Sequence, residues 1–122
     1  MTPAGPPERR LALYESLIAT QPGLERKGAT NPYTSVNGNM FTTLSPDGTL
    51  GLRLAETDRD AFMQRYATGL HQAHGTVMKE YVAVPDDLLA RTDELATYLA
   101  KSYAYAKTLK PKPTTRRPRS SR

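Results

Sequence analysis

The sequence predicts an α+β domain in which an antiparallel sheet of about four strands packs against N-terminal, middle and C-terminal helices. Two turn signals separate apolar stretches in the middle of the chain, Asn37-Gly38 and Pro46-Asp47-Gly48. Asn-Gly favours a two-residue hairpin because both central positions of that turn need a positive φ. The flanking segments alternate with the period of half-buried strands, which predicts a three-stranded meander. Helical patterns on both sides of this meander indicate the α+β class.

The first helix is predicted to begin at Pro7 or Glu8 and to end within residues 21–23. Its apolar residues recur at spacings of three and four: Leu11, Tyr14, Leu17 and Ile18. This spacing is typical of an amphipathic helix with one buried face. A polar connector over residues 24–32 then leads into the meander.

Alternation assigns the side chains of the second predicted strand to two faces. One face is predicted to carry Met40, Thr42 and Leu44, and the other Phe41 and Thr43. The third strand repeats this alternation with three leucines: Leu50, Leu52 and Leu54. The meander is therefore expected to bury one of its two faces.

A second helix of about three turns is predicted after Thr57, because Thr57 and Asp60 resemble a capping box. Residues 76–84 then alternate as a fourth strand that stops at Pro85. Consecutive acids at 86 and 87 favour a short helix, and Thr92 is a candidate cap for a long C-terminal helix. That helix is expected to end at the Lys-Pro repeat of residues 110–113.

The net charge of +5 is concentrated at the C-terminus. Seven basic residues and no acid lie after residue 106: Lys107, Lys110, Lys112, Arg116, Arg117, Arg119 and Arg122. The remaining ten Lys and Arg face 12 acids, so residues 1–106 carry a formal charge of about −2. The tail is therefore a candidate for weak contact with nucleic-acid phosphates, while a role in solubility is the alternative.

Length and composition predict one folded domain over residues 8–109, between a flexible N-terminus of residues 1–7 and a disordered basic tail of residues 110–122. The chain has no cysteine, which excludes disulfides, thiolate zinc sites and cysteine nucleophiles. The N-terminus does not resemble a secretory signal, and no stretch reaches the roughly 20 apolar residues that a membrane span needs. We therefore expect a cytoplasmic protein without a membrane partner.

Four residues are candidates for a ligand site. A basic connector next to an aromatic residue, Lys27 with Tyr33, is one arrangement that recognises anions. Lys79 and Tyr81 share a face of the fourth predicted strand. The structural alternatives are that Tyr33 anchors the connector in the core and that Tyr81 packs across strands, for example against Arg53.

Histidines and tyrosines supply two further candidates. His71 and His74 are spaced for a shared metal, but no third ligand lies at a recognisable spacing and the nearby glycines indicate a loop. Three tyrosines of the last helix could stack on bases beside the tail, or pack in the core or a dimer: Tyr98, Tyr103 and Tyr105. We predict no metal, no cofactor and no catalytic residue.

A series of short motifs runs from the meander to the fourth strand: Pro32-Tyr33, Val36-Asn37-Gly38, Met40-Phe41, Asp47-Gly48, Leu50, Leu52-Arg53-Leu54, Met78-Lys79-Glu80-Tyr81 and Val84-Pro85. Over residues 8–109 this series resembles the TfoX (Sxy) N-terminal domain family. Full-length members of that family are bacterial regulators associated with competence gene expression, in which a helical C-terminal domain follows. Many other members are single-domain proteins without an assigned activity, and the chain resembles these because only the tail follows Leu109.

The resemblance implies a non-enzymatic binding or regulatory module that acts through protein contacts. A homodimer through a sheet edge or a helix face is one expected arrangement. The basic tail would add weak, salt-dependent attraction to nucleic acid. The alternative is a small-molecule binding or enzymatic domain with a pocket around Lys27, Tyr33, Lys79 and Tyr81.

Overall fold

Helices pack on one face of an antiparallel sheet in the computed structural model, which describes residues 7–28, 32–73 and 75–111. Within these residues, four helices are present: α1 (Glu8–Ala19), α2 (Glu56–Tyr66), α3 (Asp86–Leu89) and α4 (Thr92–Thr108). Five strands form the sheet: β1 (Tyr33–Val36), β2 (Asn39–Leu44), β3 (Leu50–Arg53), β4 (Leu70–Ala73) and β5 (Thr76–Val84). Their order across the sheet is β1-β2-β3-β5-β4. The predicted α+β class is confirmed.

Both predicted turns of the meander are present. Asn37 and Gly38 connect β1 to β2 with φ values of 54° and 79°, as a tight hairpin requires. Between β2 and β3, the Ser45 amide donates to the Thr49 carbonyl over 2.9 Å. The Asp47 carboxylate accepts the Thr49 amide, also at 2.9 Å. Local side-chain chemistry therefore fixes the pairing of the three meander strands.

One hydrophobic core lies between the sheet and the helices. It includes the predicted apolar faces of α1 and α4, with Leu17 of α1 and Leu95 and Leu99 of α4 fully buried. The Tyr14 hydroxyl crosses this core to Thr42, whose Oγ1 lies 2.6 Å from the hydroxyl oxygen. Burial raises the pKa of Tyr14 to about 12. A neutral, hydrogen-bonded phenol is thus part of the core.

The predicted assignment of β2 side chains to the two faces of the sheet is wrong in the first half of the strand. Thr34 pairs with Thr42, whereas the next residue of β1, Ser35, pairs with Met40, so Phe41 is an extra residue in β2. Such a bulge places two successive side chains on one face. Phe41 consequently joins Thr42 in the core, fully buried, while Met40 is only partly buried.

A fifth strand, β4, occupies the region that the sequence indicated as a loop around His71. Leu70 of β4 pairs with Val82 of β5, and Gln72 pairs with Val77. β4 is only four residues long and glycines flank it in the sequence, so its own pattern is too short to predict a strand. The predicted strand count of about four is therefore one too low.

The predicted side-chain caps are also wrong. α2 begins after Ala55 and α4 after Arg91, and neither helix has a side-chain hydrogen bond at its N-cap. Instead of a cap, acidic residues lie in the first turn of each helix, where they interact favourably with the helix dipole. The same feature begins α3 directly after Pro85, as predicted.

Within residues 7–28, 32–73 and 75–111, every helix is too short or too polar to cross a bilayer.

Candidate functional site on the open face of the sheet

Lys27 and Tyr33 form a pair at one edge of the sheet. The Lys27 amide donates to the Tyr33 carbonyl over 2.8 Å, and the Tyr33 amide donates back over 3.0 Å. The exposed Lys27 ammonium donates to the Ser35 hydroxyl over 2.9 Å. These hydrogen bonds hold the polar connector beside β1. The ammonium group of Lys27, one of the candidate ligand residues, is already hydrogen-bonded to Ser35.

Tyr81 of β5 packs inside the sheet layer. Its ring is only 8% exposed, and its hydroxyl donates to the Met40 carbonyl over 2.8 Å. Tyr81 pairs with Arg53 in register, and the Arg53 guanidinium lies 5.8 Å from the centre of the Tyr81 ring. The cross-strand packing predicted as the structural alternative is confirmed. Burial raises the pKa of the Tyr81 phenol, so this group is neutral at physiological pH.

Arg53 and Met40 link three strands at this point. Arg53 donates through Nε to a Glu80 carboxylate oxygen over 2.7 Å and through Nη1 to the Met40 carbonyl over 3.1 Å. On the β2 side, the β2–β3 register covers only Thr42 to Leu44 and does not include Met40, and two side chains donate to the Met40 carbonyl. Lys79 lies two residues before Tyr81 and is exposed to solvent.

The four predicted ligand residues form two separate pairs. β2 and β3 lie between β1 and β5, so the pairs are about 14 Å apart across the sheet. Register places Tyr33, Thr43, Gly51 and Ala83 side by side on the face opposite the core, which we call the open face. The two pairs therefore lie apart on the sheet and do not converge on one ligand.

The basic segment starts from a fixed point on the fold. Lys107 lies with its ammonium 4.5 Å from the centre of the Tyr103 ring, which in turn stacks on Phe41 at 5.4 Å. The Asn39 side chain, 2% exposed, donates to the Lys110 carbonyl over 3.0 Å. Five predicted basic residues lie outside the described residues: Lys112, Arg116, Arg117, Arg119 and Arg122.

The tyrosines of α4 pack against the fold in different places. Tyr103 contacts Phe41, and Tyr98 lies edge-on to Phe62 at 5.0 Å. Tyr105 lies 6.0 Å from the Arg53 guanidinium. These positions match the packing interpretation of the three tyrosines rather than a shared stacking surface.

The burial of His71 and its contacts were not predicted from the sequence. Its ring is 1% exposed, and Nε2 lies 3.1 Å from the Ser45 hydroxyl oxygen. The ring lies directly on Gly51, where an added Cβ would be only 2.6 Å from His71 Cδ2. The other nitrogen, Nδ1, is buried without a hydrogen-bond partner among the described residues. The sequence did contain one signal for this contact, because a glycine within a strand, here Gly51, often marks a place where another group approaches the backbone closely. His74 lies outside the described residues.

Arg10 fixes the turn that carries Ser45. Its Nη1 donates to the Gly48 carbonyl over 3.3 Å and to Asp86 Oδ1 over 2.5 Å. Gly48 has a φ of 92° and lies against the Arg10 side chain. The arginine of α1 thus connects the 45–49 turn to the start of α3.

Two surface grooves lie away from these residues. In the part of the chain that the structure describes, no group of three or more His, Cys, Asp or Glu side chains is arranged to hold a metal. Two shallow grooves of about 430 and 400 Å³ lie at residues 90–94 and along α2 beside Thr68. Neither groove includes a predicted ligand residue.

Comparison of the chain with known protein-family models and with curated proteins gives no match.

Proposed function

We propose that the chain is a small, non-enzymatic binding module of the TfoX N-terminal domain type that acts through protein contacts. Its basic C-terminal segment adds weak association with nucleic-acid phosphates. The motif series from residue 32 to residue 85 supports the family, and with it a role in bacterial transcription regulation such as competence. This role is an inference from resemblance.

The observation that carries the proposal is the attachment of the basic segment. Asn39 holds the Lys110 carbonyl next to the β1–β2 hairpin, and Lys107 lies on the Tyr103 ring. Lys107 and Lys110 are therefore attached to the fold directly before the further basic residues of the sequence, and residues 1–106 carry a formal charge of about −2. Phosphate contacts by such a segment position a protein on nucleic acid without specifying a sequence.

Deletion of residues 112–122 is expected to weaken strongly, but not abolish, binding to labelled duplex DNA and single-stranded RNA at low salt, because Lys107 and Lys110 remain in the shortened chain. Fluorescence anisotropy measures this, with a chain ending at Pro111 so that the Asn39 contact to Lys110 is kept. For duplex DNA, the slope of log K against log salt should fall in magnitude by about 0.9 for each phosphate that the deleted residues neutralise. Absence of binding by the full chain at low salt would remove the nucleic-acid part of the proposal.

A length-matched control separates charge from length. In the full-length chain, glutamine replaces the five basic residues beyond Pro111. This variant should bind as weakly as the shortened chain, because counterion release requires the positive charges. If the glutamine variant binds like the unmodified chain, charge is not the cause of binding.

The end of the β4–β5 hairpin is the surface we assign to protein contacts. β3 pairs with β5 from Tyr81 to Val84, so the first part of β5 extends beyond β3. Val77 lies in this extension. Among the described residues, it is the large apolar residue that is exposed, with 46% of its surface accessible. Val77 exposes apolar surface where β5 has no β3 partner among the described residues, which favours pairing with a second chain, and we propose a homodimer through it.

Val77→Glu is expected to weaken self-association of the chain. Sedimentation velocity over a concentration series measures the effect, and Thr76→Glu is the matched control because it adds the same charge one residue away. A carboxylate in an apolar strand contact is costly to bury, so only Val77→Glu should need a higher concentration than the unmodified chain to form the dimer. A monomer at every concentration of the unmodified chain would contradict the homodimer.

The alternative function, a small-molecule or enzymatic pocket, has weaker support. Lys27 and Tyr81 are engaged with Ser35 and Met40, and the two candidate pairs are on strands separated by β2 and β3. A single ligand that contacts all four side chains would have to span about 14 Å of the open face.

A further inference from the structure

We propose that His71 is an acid-sensitive latch, which holds the edge strand β4 on the sheet while the imidazole is neutral and releases it when the imidazole is protonated. The ring belongs to β4 but lies on Gly51 of β3 and reaches Ser45 in the 45–49 turn. β5 separates β4 from β3 in the sheet order, so this side chain bridges across a strand. Movement of the ring out of this place would remove a contact that β4 makes beyond its pairing with β5.

The surroundings of the two ring nitrogens favour one neutral tautomer. An N–H at Nε2 can donate to the Ser45 hydroxyl over 3.1 Å. Nδ1 then carries a lone pair, which costs less to bury without a partner than an unpaired N–H does. A second proton would have to bind at Nδ1, where no acceptor lies among the described residues. Protonation therefore creates a buried charge with an unsatisfied donor.

Few charged groups face this imidazole. From the 45–49 turn, the Asp47 carboxylate attracts the protonated form, but Asp47 already accepts the Thr49 amide and lies near Arg10. β3 contributes Gly51, which carries no charge. β5 contributes Ala83 and Tyr81 on this face by alternation, and the Tyr81 hydroxyl donates to Met40. Among the described residues, Asp47 is thus the one charged group that stabilises the protonated imidazole, and the effect of burial on the pKa of His71 is larger.

The sign of the pH effect follows from this balance. Burial lowers the pKa of His71 below its ordinary value. The unfolded chain therefore takes up this proton at a pH of about 6.5, and the folded chain takes it up only at lower pH. Between these two pKa values the unfolded state binds more protons, and stability falls as the pH falls. Below the folded-state pKa the decrease levels off.

An NMR titration of the full chain from pH 7.5 to 4.5 tests the latch. The chain has two histidines, so His74→Gln assigns the remaining imidazole signal to His71. We expect His71 to titrate below the value of an unfolded-chain histidine. Amide protection at residues 70–72 should fall over the same pH range, relative to the intrinsic exchange rates. An ordinary His71 pKa, or constant β4 protection while His71 titrates, would overturn the proposal.

A second measurement uses His71→Gln, which keeps a polar side chain but cannot take up the proton. In the unmodified chain, the unfolding equilibrium constant should rise with acid by up to about tenfold per pH unit below 6.5. His71→Gln should lack this component, and His74→Gln should retain it. Equal pH dependence in the unmodified chain and in His71→Gln would contradict the latch. If His71→Gln does not fold, the NMR titration decides alone.

Discussion

Replacement of Phe41 by alanine is expected to lower the free energy of unfolding by about 3–5 kcal/mol, the usual cost of removing a fully buried phenyl ring. Phe41 is completely buried and stacks on Tyr103 of α4 with 5.4 Å between ring centres. The Ser102 hydroxyl also donates to the Phe41 carbonyl over 3.3 Å. The ring therefore connects β2 to the C-terminal helix, and its removal leaves a cavity between them. Urea unfolding followed by circular dichroism measures the destabilisation.

Met40→Ala is the matched control for this prediction. Strict alternation along β2 would bury Met40 beside Thr42 and turn Phe41 outward. In the structure the bulge reverses these two side chains, and Met40 is only partly buried. Met40→Ala should therefore cost a fraction of what Phe41→Ala costs. A larger destabilisation from Met40→Ala would show that β2 is regular and that the bulge is wrong.

The parts of the fold that local chemistry determines could be predicted from the sequence. Asn37-Gly38 adopts the positive φ values that its turn demands, and Asp47 accepts the Thr49 amide in the second turn. Both features depend on residues within a few positions of each other, so no knowledge of the distant chain is needed. The apolar faces of α1 and α4 are predictable for the same reason.

Features that depend on distant contacts could not be predicted. The β2 bulge is visible only in its pairing with β1, and it overrides the period-2 pattern. β4 is a strand because β5 pairs with it, not because its four residues carry a strong pattern. His71 belongs to this class too, since its burial requires Gly51, which lies 20 positions earlier in the sequence.

The candidate site shows the same division. Cross-strand packing of Tyr81 with Arg53 could be predicted because both positions face one side of neighbouring strands. The sequence could not predict the distance between the Lys27–Tyr33 pair and the Lys79–Tyr81 pair. This distance depends on the strand order β1-β2-β3-β5-β4. The contact of Asn39 with Lys110 likewise joins two distant parts of the chain.

Gly51→Ala is expected to destabilise the fold by about 1–3 kcal/mol, the range for extra volume in a well-packed place. The backbone of Gly51 pairs regularly with Thr43 and Ala83, so alanine can adopt its conformation. The added Cβ, however, would lie 2.6 Å from Cδ2 and 2.8 Å from Cγ of His71. Because the ring is enclosed and 1% exposed, it can yield only by giving up its burial and its Ser45 contact. Urea unfolding at pH 7.5, where His71 is neutral, measures the difference.

Gly69→Ala controls for the general effect of replacing a glycine, because an added Cβ there would meet no atom within 4 Å. A double-mutant cycle then tests the cause. In the His71→Ala background the ring is gone, so Gly51→Ala should cost less than it does alone, and the two destabilisations should not add. If they add, or if Gly69→Ala costs as much as Gly51→Ala, contact with His71 is not the reason that position 51 requires glycine. A non-additive result would tie β3 to the edge strand through this one imidazole, which is the contact that the acid-sensitive latch requires.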